Sequence, residues 1–242
     1  MKLFPITNSN SENSSRASPS KSDGAMLYGS NLVSRCAYEQ NSIPMIVTVC
    51  ANHIESKEDY MKTEGIYRKS GSQLLIEDIE RTFAECYIRP SPEVLKFMDE
   101  DIHAVAGVLK RYLRKLPNPV LTFQVYEPLI RLVRENRLLN NLPLKSGGNT
   151  DKNSQYLNTL DSVVKVLKNL PREHYDLLRY LSKHIGKITS YSEWNLMNLY
   201  NLSLVFAPGL IRDYNGDKDI LDMKERNYIV GFIFGNYRDI FD

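Results

Sequence analysis

Residues 63–71 read Thr-Glu-Gly-Ile-Tyr-Arg-Lys-Ser-Gly and set one guanidinium, Arg68, between Gly65 and Gly71. A guanidinium is always charged and offers a planar fork of donors suited to phosphate oxygens. The two glycines reach backbone angles that other residues adopt only at a cost, so the loop can turn sharply at both ends. Ser70 and Gln73 have the spacing of a capping box, and they open an apolar-periodic run through Leu74, Leu75, Ile79 and Phe83. This pattern predicts Arg68 on a short loop braced by a helix start, with Ile66 and Tyr67 as anchors. Taken alone, the stretch fits an ordinary surface turn at least as well.

A second set of candidates lies between Asp101 and Leu116. Ile102, Val105, Ala106, Leu109, Leu113 and Leu116 recur at helical spacing and mark a buried face. At about 100° per residue, His103, Gly107, Lys110 and Arg114 share an adjacent stripe. Lys110 and Arg114 are like charges four apart, which costs a few tenths of a kcal/mol, and Arg111 with Lys115 repeats the pairing one row on. A glycine inside the helix adds about 0.5–1 kcal/mol relative to alanine. Two readings stand: a basic stripe shown to an anionic partner, with Gly107 permitting close approach, or a solvated basic face. A third candidate is Asn201, inside the nearly continuous apolar run 200–210. It either bonds neighbouring backbone or lies at a mouth and meets a partner. Asn195 has the same ambiguity with a stronger structural lean.

The elements that must position these residues are helical. Helix starts are expected at Pro44, at Ser91-Pro92 and at Asp101, the last helix stopping where Leu116-Pro117-Asn118-Pro119 forbids continuation. Further helices are expected over 122–137, 155–169, 171–188, 190–206 and 219–237. Ser190 and Glu193 form another capping box, with Pro208-Gly209 as the stop for the helix they open. The pattern shows no alternating strand, so the fold class is all-α. Residues 7–24 are Ser- and Asn-rich and cannot offset their ordering entropy by burial. They suggest a disordered tail over 1–25, ahead of one domain over 26–242 with a surface loop near 140–154.

Composition narrows the function classes. The 242 residues carry 31 basic and 29 acidic side chains, a net +2, which argues against nucleic acid as the main partner. Three cysteines are too few for a disulfide framework, so a reducing, cytoplasmic setting is expected. The first residues lack the apolar stretch of a secretory signal, and no run is long enough to span a bilayer. Four histidines without metal-ligand spacing, and no glycine-rich nucleotide loop, leave little for a metal or nucleophilic enzyme or for a GTPase.

Together the three segments resemble the Rho-family GTPase-activating domain, the RhoGAP fold. GIYRKSG at 65–71 matches that family's Gly-[Ile/Phe]-[Phe/Tyr]-Arg-x-Ser-Gly loop. His103 through LKRYLRKLPNP matches its basic helix, and Asn195, Met197 and NLSLVFAP at 201–208 match its later asparagine pattern. Order and rough spacing agree over about Met26 to Asp242, and the Asn/Ser-rich tail is similar in tone to fungal members. Departures are mild: Ala207 stands where glycine is common, and the 140–154 loop is long.

The resemblance implies a single-domain bundle of about nine helices that stimulates GTP hydrolysis by a Rho-family small GTPase, so terminating its signal. Arg68 matches the arginine finger supplied in trans. Lys110 and Arg114 match the basic pair that borders the partner surface and steadies the finger loop. Asn201 matches the asparagine that contacts the partner's switch region, and Gly65, Tyr67 and Gly71 shape the loop. No cofactor or metal of its own is implied, since GTP and Mg²⁺ belong to the partner. The expected partner is the GTP-bound GTPase, met by a monomer without membrane insertion, with recruitment to the cell cortex compatible. A non-catalytic GTPase-binding or scaffold module is the alternative.

Overall fold

A computed structural model describes residues 24–86, 90–141 and 154–242. Its helices begin with α1 (Leu32–Glu39), α2 (Met45–Glu55), α3 (Glu58–Lys62), α4 (Gln73–Glu85) and α5 (Pro92–Glu100). Then come α6 (Ile102–Lys115), α7 (Phe123–Glu135), α8 (Leu138–Asn141), α9 (Ser154–Leu167) and α10 (Arg172–Ser190). The last four are α11 (Ser192–Asn195), α12 (Leu199–Leu210), α13 (Met223–Gly235) and α14 (Tyr237–Phe241). No strand occurs among the described residues, so the all-α class holds. Most of the expected tail and of the 140–154 loop lies outside the described residues. Gly24 and Ala25, at the end of the expected tail, are held by their carbonyls, which accept from Arg35 Nη1 at 3.2 Å each.

The centre is built from α6, α12 and α13. Helix α6 packs on α2, α4 and α12, while α13 packs on α12, α7 and α10. Every residue from Tyr228 to Phe234 is buried, so the second half of α13 is enclosed on all sides, as an apolar-all-round stretch must be. Helix α6 is one-sided: Val105, Ala106, Leu109 and Leu113 are buried, with Ala104, Val108 and Tyr112 beside them. The prolines that stop α6 strand its last carbonyls, and Arg212 donates to those of Leu116 and Pro117. No helix among the described residues is long and apolar enough to cross a membrane.

Several local expectations shift. The cap of α4 is Ser72, whose Oγ accepts from Leu75 N at 3.4 Å, not Ser70. The buried stripe of α4 is therefore Ile76, Ile79 and Phe83, and Leu74 is exposed. The expected helix 190–206 is broken. Ser190 ends α10, Leu196 takes φ +59°, and Asn198 starts α12 by accepting from Asn201 N at 2.9 Å. Pro208 and Gly209 lie inside the last turn of α12 instead of ending it, and Pro208 has no N–H to give the Leu204 carbonyl. Residues 219–222 are turns, and α13 starts at Met223.

Gly71 sits where the loop meets α6. A Cβ there would lie 2.1 Å from Ala104 N and 2.5 Å from its Cα, and backbone cannot yield as a side-chain tip can. Gly71→Ala is expected to lower stability by about 1–3 kcal/mol, read as an earlier midpoint in chemical denaturation. An unchanged midpoint would mean that this contact opens freely.

Candidate functional site

The Arg68 loop is built from backbone turns with fixed ends. Gly65 has φ +69° and its carbonyl accepts from both Arg68 N and Lys69 N at 2.8 Å. Its own N–H donates to the Asn195 carbonyl at 2.7 Å, which ties the loop to α11. At the other end Ser72 N donates to Asp101 Oδ2 at 2.9 Å, while Asp101 Oδ1 caps α6 by accepting from His103 N at 2.8 Å. One carboxylate thus fixes both the loop's exit and the start of the basic helix.

Inside this frame Ile66 and Tyr67 are fully buried. Tyr67 has φ +70°, a left-handed conformation that a bulky side chain adopts only when its surroundings impose it. Its ring meets Phe206 of α12 edge-on at 4.8 Å, and its carbonyl accepts from Lys110 Nζ of α6. Burial, and after it the like charge of Arg114, lowers the Lys110 ammonium to about 8. The next residue, Arg68, turns outward: it is exposed, and its side chain makes no hydrogen bond or ion pair with any described residue. Glu64, the nearest acid in sequence, is taken by Lys69 at 3.0 Å. That hydrogen bond, with a lesser influence from Arg68, holds the Glu64 carboxyl below its usual range.

The two basic rows of α6 separate. Arg111 and Lys115 turn to Glu80 of α4, at 3.3 and 3.9 Å, and Arg111 also donates to Gln73 Oε1 at 2.6 Å. One carboxylate within the chain thus engages both cations of that row. Lys110 points into the loop and Arg114 to solvent, so the like-charged pair diverges. The close approach that Gly107 permits is to α4, since a Cβ there would meet Ile76 Cδ1 at 2.7 Å. Beside Arg114, Gly209 performs the comparable service for α12, with its Cβ position 3.3 Å from Arg114 Cγ.

The asparagines divide likewise. Asn195 is fully buried: its amide donates to the Met61 and Ile188 carbonyls at 2.8 and 3.0 Å and its oxygen accepts from Met197 N at 2.8 Å. Asn201 is half-buried and donates to the Leu196 carbonyl at 3.0 Å, leaving its side-chain oxygen without a donor among the described residues. Around it Trp194, Leu196, Tyr200 and Leu204 form an exposed apolar fringe. The sequence reading passed over this fringe and over His184, which bonds Tyr67; a histidine on the apolar face of α10 was the available signal. No group of acids, histidines and cysteines suited to a metal occurs among the described residues.

The model of the RhoGAP domain matches residues 44–215. The chain is 55% identical to Rho-type GTPase-activating protein 1 of Saccharomyces cerevisiae over 99% of its own length, and 54% identical to Rho-type GTPase-activating protein 2 of the same yeast over 90%. It spans only 24% and 22% of those two proteins. Among solved structures, human Rho GTPase activating protein 15 superposes with a TM-score of 0.70 at 24% identity, covering 90% of this chain and 93% of that one. The fold is therefore shared with that structure.

The lowered Lys110 has a stability signature. Unfolded, the amine holds its proton to about 10.5; folded, to about 8. Between these values the unfolded chain binds more protons, so folding stability rises with pH across that window. Lys110→Met should flatten this rise, measured as denaturation midpoints of both proteins from pH 7.5 to 10. Parallel profiles would refute the buried ammonium.

Proposed function

Because the chain belongs to the RhoGAP domain family, we propose that it accelerates GTP hydrolysis by a Rho-type small GTPase, with Arg68 delivered in trans. One observation carries this reading: a guanidinium without a partner among the described residues leaves a loop whose backbone is tied at Gly65, Tyr67 and Ser72. As the terminal phosphoryl group transfers, charge spreads over its oxygens and the leaving oxygen. A fixed guanidinium stabilises that charge more than it stabilises the bound nucleotide. An internally paired arginine would first have to break its own contacts, and Arg68 has none to break. The partner supplies the nucleotide, Mg²⁺ and the attacking water's orientation.

The other residues take roles that fit their positions. Lys110 faces inward and holds the carbonyl of the residue before Arg68, so its part is to steady the loop. Arg114 and the free oxygen of Asn201 face outward and are available to the partner. The exposed fringe of Trp194, Leu196, Tyr200 and Leu204 supplies apolar area for docking.

Arg68→Ala is expected to cut stimulated single-turnover hydrolysis by roughly 10³–10⁵-fold while leaving much of the binding to the GTP-loaded partner. If the unaltered chain binds such a GTPase yet leaves its hydrolysis rate unchanged, the domain is a docking module instead. Arg114→Ala should slow association several-fold at low ionic strength and have little effect at high salt, because an exposed charge is screened. An equal loss at both salt concentrations would assign Arg114 a packing role.

A further inference from the structure

Lys110 and Asn195 account for the loop's main chain, but the Tyr67 side chain carries a separate connection. Its hydroxyl lies 2.5 Å from His184 Nε2. On the far side of that ring, Nδ1 is 2.6 Å from Glu55 Oε1, and the second carboxylate oxygen takes Lys187. An ionised carboxylate only accepts, so Nδ1 bears the proton and donates to it. In the neutral ring Nε2 then carries the lone pair, and the Tyr67 hydroxyl donates into it. Burial, the foremost cause, raises the phenol's ionisation well above its usual range, so the hydroxyl keeps its proton to donate. The connection runs from the end of α2 through the middle of α10 to the loop. It ends at the one loop residue, besides Gly65, with a left-handed backbone, directly before Arg68.

Packing alone does not require this chemistry. A phenyl ring would occupy the same space against Phe206, and an apolar residue would suit the buried face of α10, where Leu181, Ile185 and Ile188 surround His184. We propose that Glu55, His184 and the Tyr67 hydroxyl form a buried positioning chain that fixes the rotation about the Tyr67 backbone, and thereby the direction in which Arg68 leaves the loop. The inference rests on the reading of Arg68 as a group delivered in trans. Two tethers act on one residue: Lys110 holds the carbonyl side of Tyr67, and His184 holds the far end of its ring. With both made, the left-handed conformation is over-determined; with one gone, the residue regains access to ordinary backbone angles that would aim Arg68 elsewhere. Tyr67 and His184 are buried, so they act through Arg68 as positioning residues.

The test is single-turnover GTP hydrolysis by a Rho-type GTPase, titrated with this chain. Tyr67→Phe is expected to lower the saturating rate roughly three- to tenfold, the size of one hydrogen bond, with the half-saturating concentration unchanged. Glu55→Gln should lower the same rate less, and the double variant should do no worse than Tyr67→Phe, since a chain cut once cannot be cut again. Should Tyr67→Phe fail to fold, His184→Asn keeps a donor for Glu55, withdraws the acceptor from Tyr67 and gives the same readout. A saturating rate equal to that of the unaltered chain would overturn the proposal. So would a matching rise in the half-saturating concentration, or additive losses in the double variant. Arg68→Ala run alongside separates the two ideas: if it stimulates normally, delivery in trans fails whatever Tyr67→Phe does. If Arg68→Ala is inactive and Tyr67→Phe behaves normally, only the positioning chain is lost.

Discussion

The donation from Lys110 to the Tyr67 carbonyl is the contact on which the site depends. It joins the central helix to a loop with no regular structure of its own, and it does so one residue before the exposed arginine. The ammonium gives up hydration to make it, which is why burial draws its ionisation down. The like charge of Arg114, one turn away, adds to that cost. Here the two cations point in different directions, so Lys110 supports from within while Arg114 stays in solvent. One helix thereby serves three surfaces: its apolar side meets α2 and α12, one basic row shares the Glu80 carboxylate of α4, and the other splits between loop and exterior.

Rigidity and exposure are distributed unevenly around Arg68. Gly65, Tyr67, Asn195 and Asp101 have their hydrogen bonds made within the chain, while the guanidinium has none among the described residues. Anchoring the backbone removes conformational freedom before any partner arrives, which is entropy that association need not supply. The side-chain head is left free to meet a group from outside the chain. The asparagines repeat this division: Asn195 spends its whole amide inside the fold, and Asn201 keeps one oxygen unused.

Much of this was legible in the residues because local rules were obeyed. Ser91-Pro92 and Asp101 cap where their types say they should, and the prolines after Leu116 stop α6. The motif order sufficed to recognise the family and to single out Arg68, Lys110, Arg114 and Asn201. What escaped was decided by distant partners or by competition between adjacent candidates. Gln73 three residues on makes Ser70 the better cap on paper, yet Ser72 caps α4, its N–H held by Asp101 across 29 positions. Whether Gly107 and the basic rows face a partner or solvent stays open in the sequence, because it depends on α4, which meets Gly107 through Ile76 and both Arg111 and Lys115 through Glu80. Apolar residues alone could not reveal the break at Leu196, since Asn195 enforces it by turning its side chain back onto Met197 N. His184 was hidden for the converse reason: a lone histidine among leucines and isoleucines has no visible partner until residues 55 and 67 converge on it.

The loop's anchors come from far along the chain: His184 is 117 positions from Tyr67, and Asn195 is 134 positions from the Met61 carbonyl it holds. Contacts over such separations carry a larger loop-closure cost than the pairing of neighbouring helices. During synthesis, residues 184 and 195 follow the arginine by more than a hundred positions, so the anchors cannot form until they too are made. A partly made chain would thus display the charge without its orientation. The direction of that side chain is a property of the completed core, not of the loop's own sequence.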